Sequence, residues 1–340
     1  MLAIPHVASI GRVHYAARSL PMKMLVLSRN ASLYSTSRIV LAARARGHEV
    51  TVIDPLDFQI VVSRGKPSMS VGGEKAPRFD VVVPRIGASI TSYGLAVVRQ
   101  FDLMDVPVLN SAVAIARSRD KLRALQLLAR AAIDVPTTIC ARNPQGLDTA
   151  LELVHGCPAI VKLQQGTQGI GTMIADTHQS AHALLETFWA MGQDIVLQEY
   201  VRESKGRDVR AIVVGGEVIA SMRRVAKKGE FRANLHRGAS GTNVRLSPQY
   251  RRAAIRAAKI MGLEVAGVDM LEGRKGPRIL EINSSPGLEG IERTSGVDVA
   301  GAIVEHAESF VRVRAARKRS AIRRGTKVNV DADALRRLDG

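Results

Sequence analysis

Apolar runs and helically spaced apolar positions alternate along the chain from Met24 onward. Residues 24–27 form a short apolar run, a polar loop follows, and a helix is predicted near 37–46. Gly47 is a natural stop for that helix before a strand at 49–53, and a further apolar run at 81–83 precedes Pro84. Strands alternating with a helix predict a small open parallel sheet. No GxGxxG follows the first strand, so the sheet carries no dinucleotide fingerprint.

Further along, Ser118 is placed to cap a helix over 120–132, with Leu122, Leu125, Leu128 and Ala129 at helical spacing. Pro136 marks the break into a region of short strands and glycine-rich turns, with strands predicted at 159–163, 172–175, 195–198, 209–214 and 218–222. A helix capped by Ser247 with Pro248 at its first position follows. Strands near 265–271 and 278–283 precede a last helix around 297–311. The fold class is α/β (α+β), with an N-terminal domain over 22–117, a larger region over 118–311, and flanks at 1–21 and 312–340. No internal repeat is present.

Composition narrows the class. A chain of 340 residues, 46% hydrophobic and 24% charged, can bury the cores of two or three subdomains and is not of disordered type. No uninterrupted apolar run approaches the length of a membrane span, so no membrane association is expected. Two cysteines, Cys140 and Cys157, make neither a disulfide framework nor a zinc site and point to a reducing cytoplasm.

The net charge of +18 is uneven: residues 1–23 carry +3, residues 312–340 carry +7, and the 288 residues between them +8. A phosphate-rich or acidic partner fits this excess, and so does a solvated basic end. The opening stretch has Arg12 and Arg18 and no acids, but it lacks a long apolar segment and a clear cleavage site. It is read as a disordered extension or as a start placed upstream of the true one. The basic run after Arg312 is read as poorly packed.

Three groups of residues carry chemistry. Asp269 ends an apolar strand, and Glu281 and Asn283, two apart, face one side of the next. A turn centred near Lys275 sets Asp269 across from Glu281, so three oxygen ligands converge in a set suited to Mg²⁺ shared with phosphates; the bland alternative is a half-exposed hairpin. Lys162 closes a strand before a loop with Gly166, Gly169 and Gly171, which lets backbone N–H groups approach phosphate, or else makes an ordinary turn. It is not a Walker A loop, because GK[ST] is absent. Glu199-Tyr200 ends a strand and can offer backbone groups to an adenine edge. Asp208 can accept from ribose hydroxyls, and Arg210 can stabilise charge on a transferring phosphoryl group; the two could equally be a same-face surface pair.

The order Lys162, glycine loop, Glu199-Tyr200, Asp208, Asp269, Glu281-x-Asn283-x-x-Pro286-Gly287 resembles the ATP-grasp superfamily. More narrowly, Pro84-Arg85-Ile86-Gly87, the 116–122 and 166–171 segments, Asn234-Leu235-His236-Arg237-Gly238 and the 285–292 segment resemble the RimK family. The likeness runs from about Met22 to about Val311. It implies an ATP-grasp fold behind an open parallel-sheet pre-ATP-grasp domain. It implies an alpha-L-glutamate ligase that extends the C-terminus of a small-subunit ribosomal protein through an acyl phosphate. By the same resemblance, Lys121, Lys162 and Gly169 contact ATP phosphates, Glu199 and Tyr200 hold adenine, Asp208 holds ribose, and Arg232, Ala233 and Asn234 close over the nucleotide. Asp269, Glu281 and Asn283 hold two Mg²⁺ or Mn²⁺ ions, and Arg210 is the chosen catalytic residue. Gln165 and Ala233 depart from the family's acidic residue and serine at those places, without need to change the chemistry. The expected setting is a cytoplasmic homo-oligomer with L-glutamate, a protein acceptor and possible ribosome or RNA proximity.

Three other readings compete, the third being a catalytically dead structural subunit, against which every expected ATP and metal position is present. A nucleic-acid-binding protein would suit the charge but leaves the carboxylate set and glycine loop unexplained. A ligase for a small molecule or carrier protein shares all the ATP chemistry and differs only in its acceptor.

Overall fold

The computed structural model describes residues 20–65, 67–141, 146–163 and 171–323. The N-terminal extension up to residue 19, the loop 164–170 with Gly169, and residues 324–340 lie outside the described residues.

The N-terminal domain runs β1 (Lys23–Leu27), α1 (Tyr34–Ala45), β2 (Glu49–Ile53), β3 (Phe58–Val61), β4 (Ser68–Val71), β5 (Glu74–Lys75), β6 (Val81–Pro84), α2 (Thr91–Leu103) and α3 (Ala112–Arg119). Its parallel sheet has the order β2-β1-β6, and β3-β4-β5 form a small antiparallel sheet that the alternation of residues did not announce. In β1 and β6, residues 24–27 and 81–84 are buried, as expected of parallel strands covered on both faces. One face packs against α2 and α3, and the other meets α1 and the last helix of the chain.

Asp120, not Ser118, caps α4 (Lys121–Arg130), its side chain accepting from the Arg123 N–H. Ser118 instead lies inside the last turn of α3, where its hydroxyl donates to the Ile115 carbonyl; Ser111 supplies that helix's cap. The central subdomain follows with β7 (Thr138–Ala141), α5 (Leu147–Leu153), β8 (Ala159–Leu163), β9 (Thr172–Ala175), α6 (His178–Ala190) and β10 (Ile195–Glu199). Its antiparallel sheet has the order β7-β10-β8-β9, with α5 and α6 closing an apolar core around Leu151 and Leu185.

The third unit is β11 (Arg207–Val214), β12 (Glu217–Val225), β13 (Ser240–Asn243), α7 (Pro248–Met261), β14 (Val265–Gly273), β15 (Gly276–Asn283), α8 (Glu289–Ser295) and α9 (Val299–Arg323). The sheet order is β13-β12-β11-β14-β15, all antiparallel. The start of α7 is as expected: Ser247 accepts from the Tyr250 N–H and Pro248 opens the helix. Its buried Ala254, Ala257, Ala258 and Met261 lie against β11, β14 and β15.

The helix expected to end near 311 continues through Arg323. Arginine, lysine and alanine are strong helix formers, and Arg314 and Lys318, one turn apart, both pair with Asp105 at the end of α2. The basic run is therefore partly docked rather than wholly solvated.

The N-terminal domain is sewn to the third unit by buried polar contacts. The Asn110 amide donates to the Val265 and Ser284 carbonyls at 2.8 and 2.9 Å and accepts from the Glu264 and Val265 N–H groups. Glu292 on α8 accepts from Tyr34, Arg38 and the Ala300 N–H. Glu308 on α9 pairs with Arg46 and with the buried ring of His48. Unmade buried polar groups cost about 1–3 kcal/mol each, so this seam resists hinging.

Candidate active site

The hairpin β14–β15 presents the carboxylate set. Asp269 stands opposite Glu281 and Gly267 opposite Asn283. The turn is tighter than a centre at Lys275 would give, because Gly273 pairs with Gly276. A bulge between the Asp269 and Met270 pairings, with Leu280 as the unpaired residue, supplies the missing offset and restores the expected facing. The Asn283 amide donates to Glu281 Oε1 at 3.1 Å. Among the described residues no group of three or more His, Cys, Asp or Glu is placed to hold a metal; the set here is two carboxylates and an amide. Oxygen donors, few in number and next to two lysines, suit a hard divalent ion that takes its remaining ligands from phosphate and water. The residues present thus fit the Mg²⁺ that the sequence implies.

Asp269 is buried beneath two guanidiniums. Arg210, its cross-strand partner on β11, donates through Nε and Nη2 at 2.6 and 2.5 Å, and Arg224 on β12 approaches at 2.9 Å. Burial pushes the Asp269 carboxyl up, but Arg210 and Arg224 outweigh it and hold the group well below the usual carboxylate range. Arg224 also forks onto Asp208 with two bonds of 2.6 Å. Asp208 takes the weaker share: burial, opposed by Arg224, pushes it up to about 6. The Asp208 side chain, expected to be open to ribose, is thus enclosed, and Arg210, expected to face a phosphoryl group alone, already holds a carboxylate. Arg224 was missed by the sequence reading. Its signal was present, since it continues the inward face of Ala220 and Met222 at period two.

Two lysines reach the same place, Lys162 from the central sheet and Lys121 from the start of α4, a helix packed against β15 and α7. Lys162, at the end of β8, donates to Gln198 Oε1 at 2.7 Å, and Gln198 is oriented by its own bond to Thr138. Burial pulls Lys162 down to about 8, against the Glu281 carboxylate, which raises it. Lys121, the first residue of α4, is likewise lowered by burial and raised by Glu281. One carboxylate therefore senses lysines from two different elements, which brings Lys121, Lys162 and Glu281 to a common centre. The Glu199 carboxylate, expected to help hold adenine, is occupied by Arg278 at 2.5 and 2.8 Å and by the Thr137 N–H. Arg232 pairs with Glu230 and reaches the Thr172 carbonyl at 3.4 Å, tying the loop that holds buried Ala233 and half-buried Asn234 to the central subdomain.

Lys162 on the central sheet, Lys121 at the head of α4 and the carboxylate hairpin are the setting in which the likenesses to known proteins place an ATP-dependent carboxylate–amine ligase of the ATP-grasp fold. Residues 22–115 match the RimK pre-ATP-grasp domain and residues 118–307 the RimK-like ATP-grasp domain, and the chain belongs to the RimK family. Proteins named probable alpha-L-glutamate ligase are 52% identical over 287 residues in Ectopseudomonas mendocina, covering 84% of this chain and 95% of that one, and 51% identical over 291 residues in Thioalkalivibrio sulfidiphilus, covering 86% and 97%. Two solved structures share the fold. The ATP-grasp ligase PsnB, complexed with a minimal precursor, aligns with TM-score 0.68 at 23% identity over 85% of this chain and 99% of its own. The D-alanine–D-alanine ligase of Bacillus anthracis, complexed with ATP, aligns with TM-score 0.61 at 16% identity over 87% and 99%.

Proposed function

We propose that this chain is an L-glutamate ligase that extends the C-terminal carboxylate of a protein, namely a small-subunit ribosomal protein, through an acyl phosphate. The observation that carries the reading is the convergence of Lys121 and Lys162 on Glu281, beside the hairpin partner Asp269. The relatives named glutamate ligases supply the amine.

In this reading an oxygen of the acceptor carboxylate attacks the γ-phosphorus of ATP, and ADP leaves. The glutamate amine then attacks the acyl carbon, phosphate departs, and the nitrogen gives up its proton. Lys121 and Lys162 hold phosphate oxygens, the backbone at Glu199-Tyr200 meets adenine, Asp208 lies on the ribose side, and Arg232, Ala233 and Asn234 close over the nucleotide. Gly169 lets the loop approach the phosphates. Asp269, Glu281 and Asn283 would hold two Mg²⁺ or Mn²⁺ ions, which would neutralise phosphate charge. Arg210 faces the acyl-phosphate oxygens while keeping Asp269 oriented. A cytoplasmic homo-oligomer working near the ribosome or RNA completes the proposal; no described helix is long and apolar enough to cross a membrane.

The test is incubation with ATP, Mg²⁺ and labelled glutamate, with and without ribosomal proteins, and identification of the labelled product by mass. Label on a ribosomal-protein C-terminus supports the reading. Label only on a small molecule or a carrier protein would replace its acceptor.

A further inference from the structure

Strands β1 and β6 lie side by side in the parallel sheet, and both run into arginine at their C-terminal ends: Ser28-Arg29 after β1 and Arg85 after β6. The crevice beyond the C-terminal ends of parallel strands is where open α/β sheets hold ligands. Here the crevice opens on the site, because the end of β6 is stitched to the turn that follows Asn283. The Arg85 Nη2 donates to the Pro286 carbonyl at 2.7 Å, and the Ser285 hydroxyl donates to the Pro84 carbonyl at 3.4 Å.

Arg85 is the one of these two arginines without a protein counter-ion. Arg29 has Asp54 at 3.7 Å. Among the described residues Arg85 pairs with no carboxylate, and its found acceptor is the single Pro286 carbonyl, although a guanidinium offers five N–H donors. It is set deep enough among protein atoms that desolvation alone pulls it down to about 10. Its backbone is fixed as well. The Arg85 N–H donates to the Leu27 carbonyl at 2.8 Å, and Arg119 holds the next residues by donating to the Ile86 and Gly87 carbonyls and to Thr91 Oγ1. A pre-ordered cation, half-buried and without a carboxylate partner among the described residues, bonded to a residue three positions along the chain from Asn283, is poised for an anion that arrives with the substrate.

We propose that Arg85 is the specificity residue for a substrate carboxylate, taking the carboxylate of the incoming glutamate in a forked pair. The inference rests on the glutamate-ligase reading above. The acceptor offers a carboxylate too, and the experiment separates the two sources.

Full-length wild type, Arg85→Lys and Arg85→Gln are compared by KM for glutamate, KM for the acceptor protein, KM for ATP, kcat and Tm. Loss of a charge-assisted pair is expected to raise the glutamate KM by ~10- to 100-fold in Arg85→Gln, with a smaller rise in Arg85→Lys, which keeps the charge but not the fork. The ATP KM and Tm should hold. A rise confined to the acceptor KM would assign the same carboxylate contact to the acceptor. Unchanged KM values for both substrates, or a fall in Tm with all KM values moving together, would overturn the proposal and leave Arg85 a structural tie to Pro286. Failure of the glutamate reading shows separately, in wild-type ADP release that answers to a different amino acid. In that case the Arg85 assignment is read on that amino acid's KM.

Discussion

Arg210 and Asp269 are cross-strand partners joined by two hydrogen bonds of 2.6 and 2.5 Å, with the carboxylate buried and the guanidinium side chain partly exposed. The pair gives Asp269 a structural duty that Glu281, exposed on β15, does not share. Asp269→Asn is therefore expected to abolish ATP turnover and to cost ~3–5 kcal/mol of stability, because Arg210 and Arg224 lose a buried counter-charge. Glu281→Gln should abolish turnover with Tm nearly unchanged. Thermal denaturation beside a coupled ADP assay checks both, and equal Tm losses would contradict the division of labour.

Arg210→Ala should depress kcat more than the KM for ATP, since its proposed partner is charge that develops during transfer. It should also loosen Asp269 and weaken divalent-ion binding. Steady-state kinetics with a metal titration separates the two effects, and an unchanged kcat would remove Arg210 from the mechanism.

Lys162 sits near 8 rather than 10.5, so in the nucleotide-free protein its charge fades as pH rises through 8. Phosphate favours the charged form, and ATP binding at pH 8.5 should take up part of a proton. Calorimetry in two buffers of different ionisation enthalpy measures this, and Lys162→Arg, charged throughout, should lose the uptake. The linkage to stability has the opposite sense. Between about 8 and 10.5 the unfolded chain binds more protons at this position, so the Lys162 contribution to stability rises with pH across that window.

Gly267 lies opposite Asn283, and a Cβ there would meet Pro286 Cβ at 2.8 Å. The Pro286 carbonyl accepts from Arg85 and the preceding Ser285 bonds Pro84, so the ring cannot step aside cheaply. Gly267→Ala should cost ~1–3 kcal/mol and displace the turn that positions Asn283. The expected readout is a lower Tm together with weaker metal-dependent ATP turnover.

The basic end offers a test of partner choice. Residues 312–323 carry +6 and residues 324–340 only +1, so the excess sits on the extension of α9. Arg314 and Lys318 are docked on Asp105, while Arg312, Arg317 and Arg319 are exposed. Replacing those three by glutamine should leave glutamate-dependent ATP hydrolysis unchanged and slow modification of a ribosomal acceptor at low salt, with the deficit shrinking as salt screens the field. Equal rates at low salt would mean that the extension has no part in recognition.

Much of this site was legible in the residues because its signals are local. The shared face of Glu281 and Asn283 follows from strand period, though their facing to Asp269 also needs the bulge at Leu280, which no local signal announces; Ser247-Pro248 announces α7 by cap chemistry alone. The small β3–β4–β5 sheet was not legible: its strands are short, and each becomes a strand only by pairing with its neighbours. The same holds for the counter-ions. Arg278 on Glu199 and Arg224 on Asp208 are partners distant along the chain, fixed by which strands neighbour one another. Residue type suggested open acids at both positions, and only the three-dimensional arrangement reveals them as neutralised. Ser118 misled for a related reason. It and Asp120 are both good caps, and the choice fell to Asp120 because a helix already occupied the residues before it.

The bulge at Leu280 divides the β14–β15 hairpin into two stretches of independent phase. The ligand-bearing end keeps its facing whatever happens at the Arg274-Lys275 tip, where the chain is exposed. That tip is consequently a permissive port for insertion: a flexible peptide or a small domain grafted between Arg274 and Lys275 should leave catalysis running, whereas deleting Leu280 alone would turn Glu281 and Asn283 toward α7 and silence the enzyme.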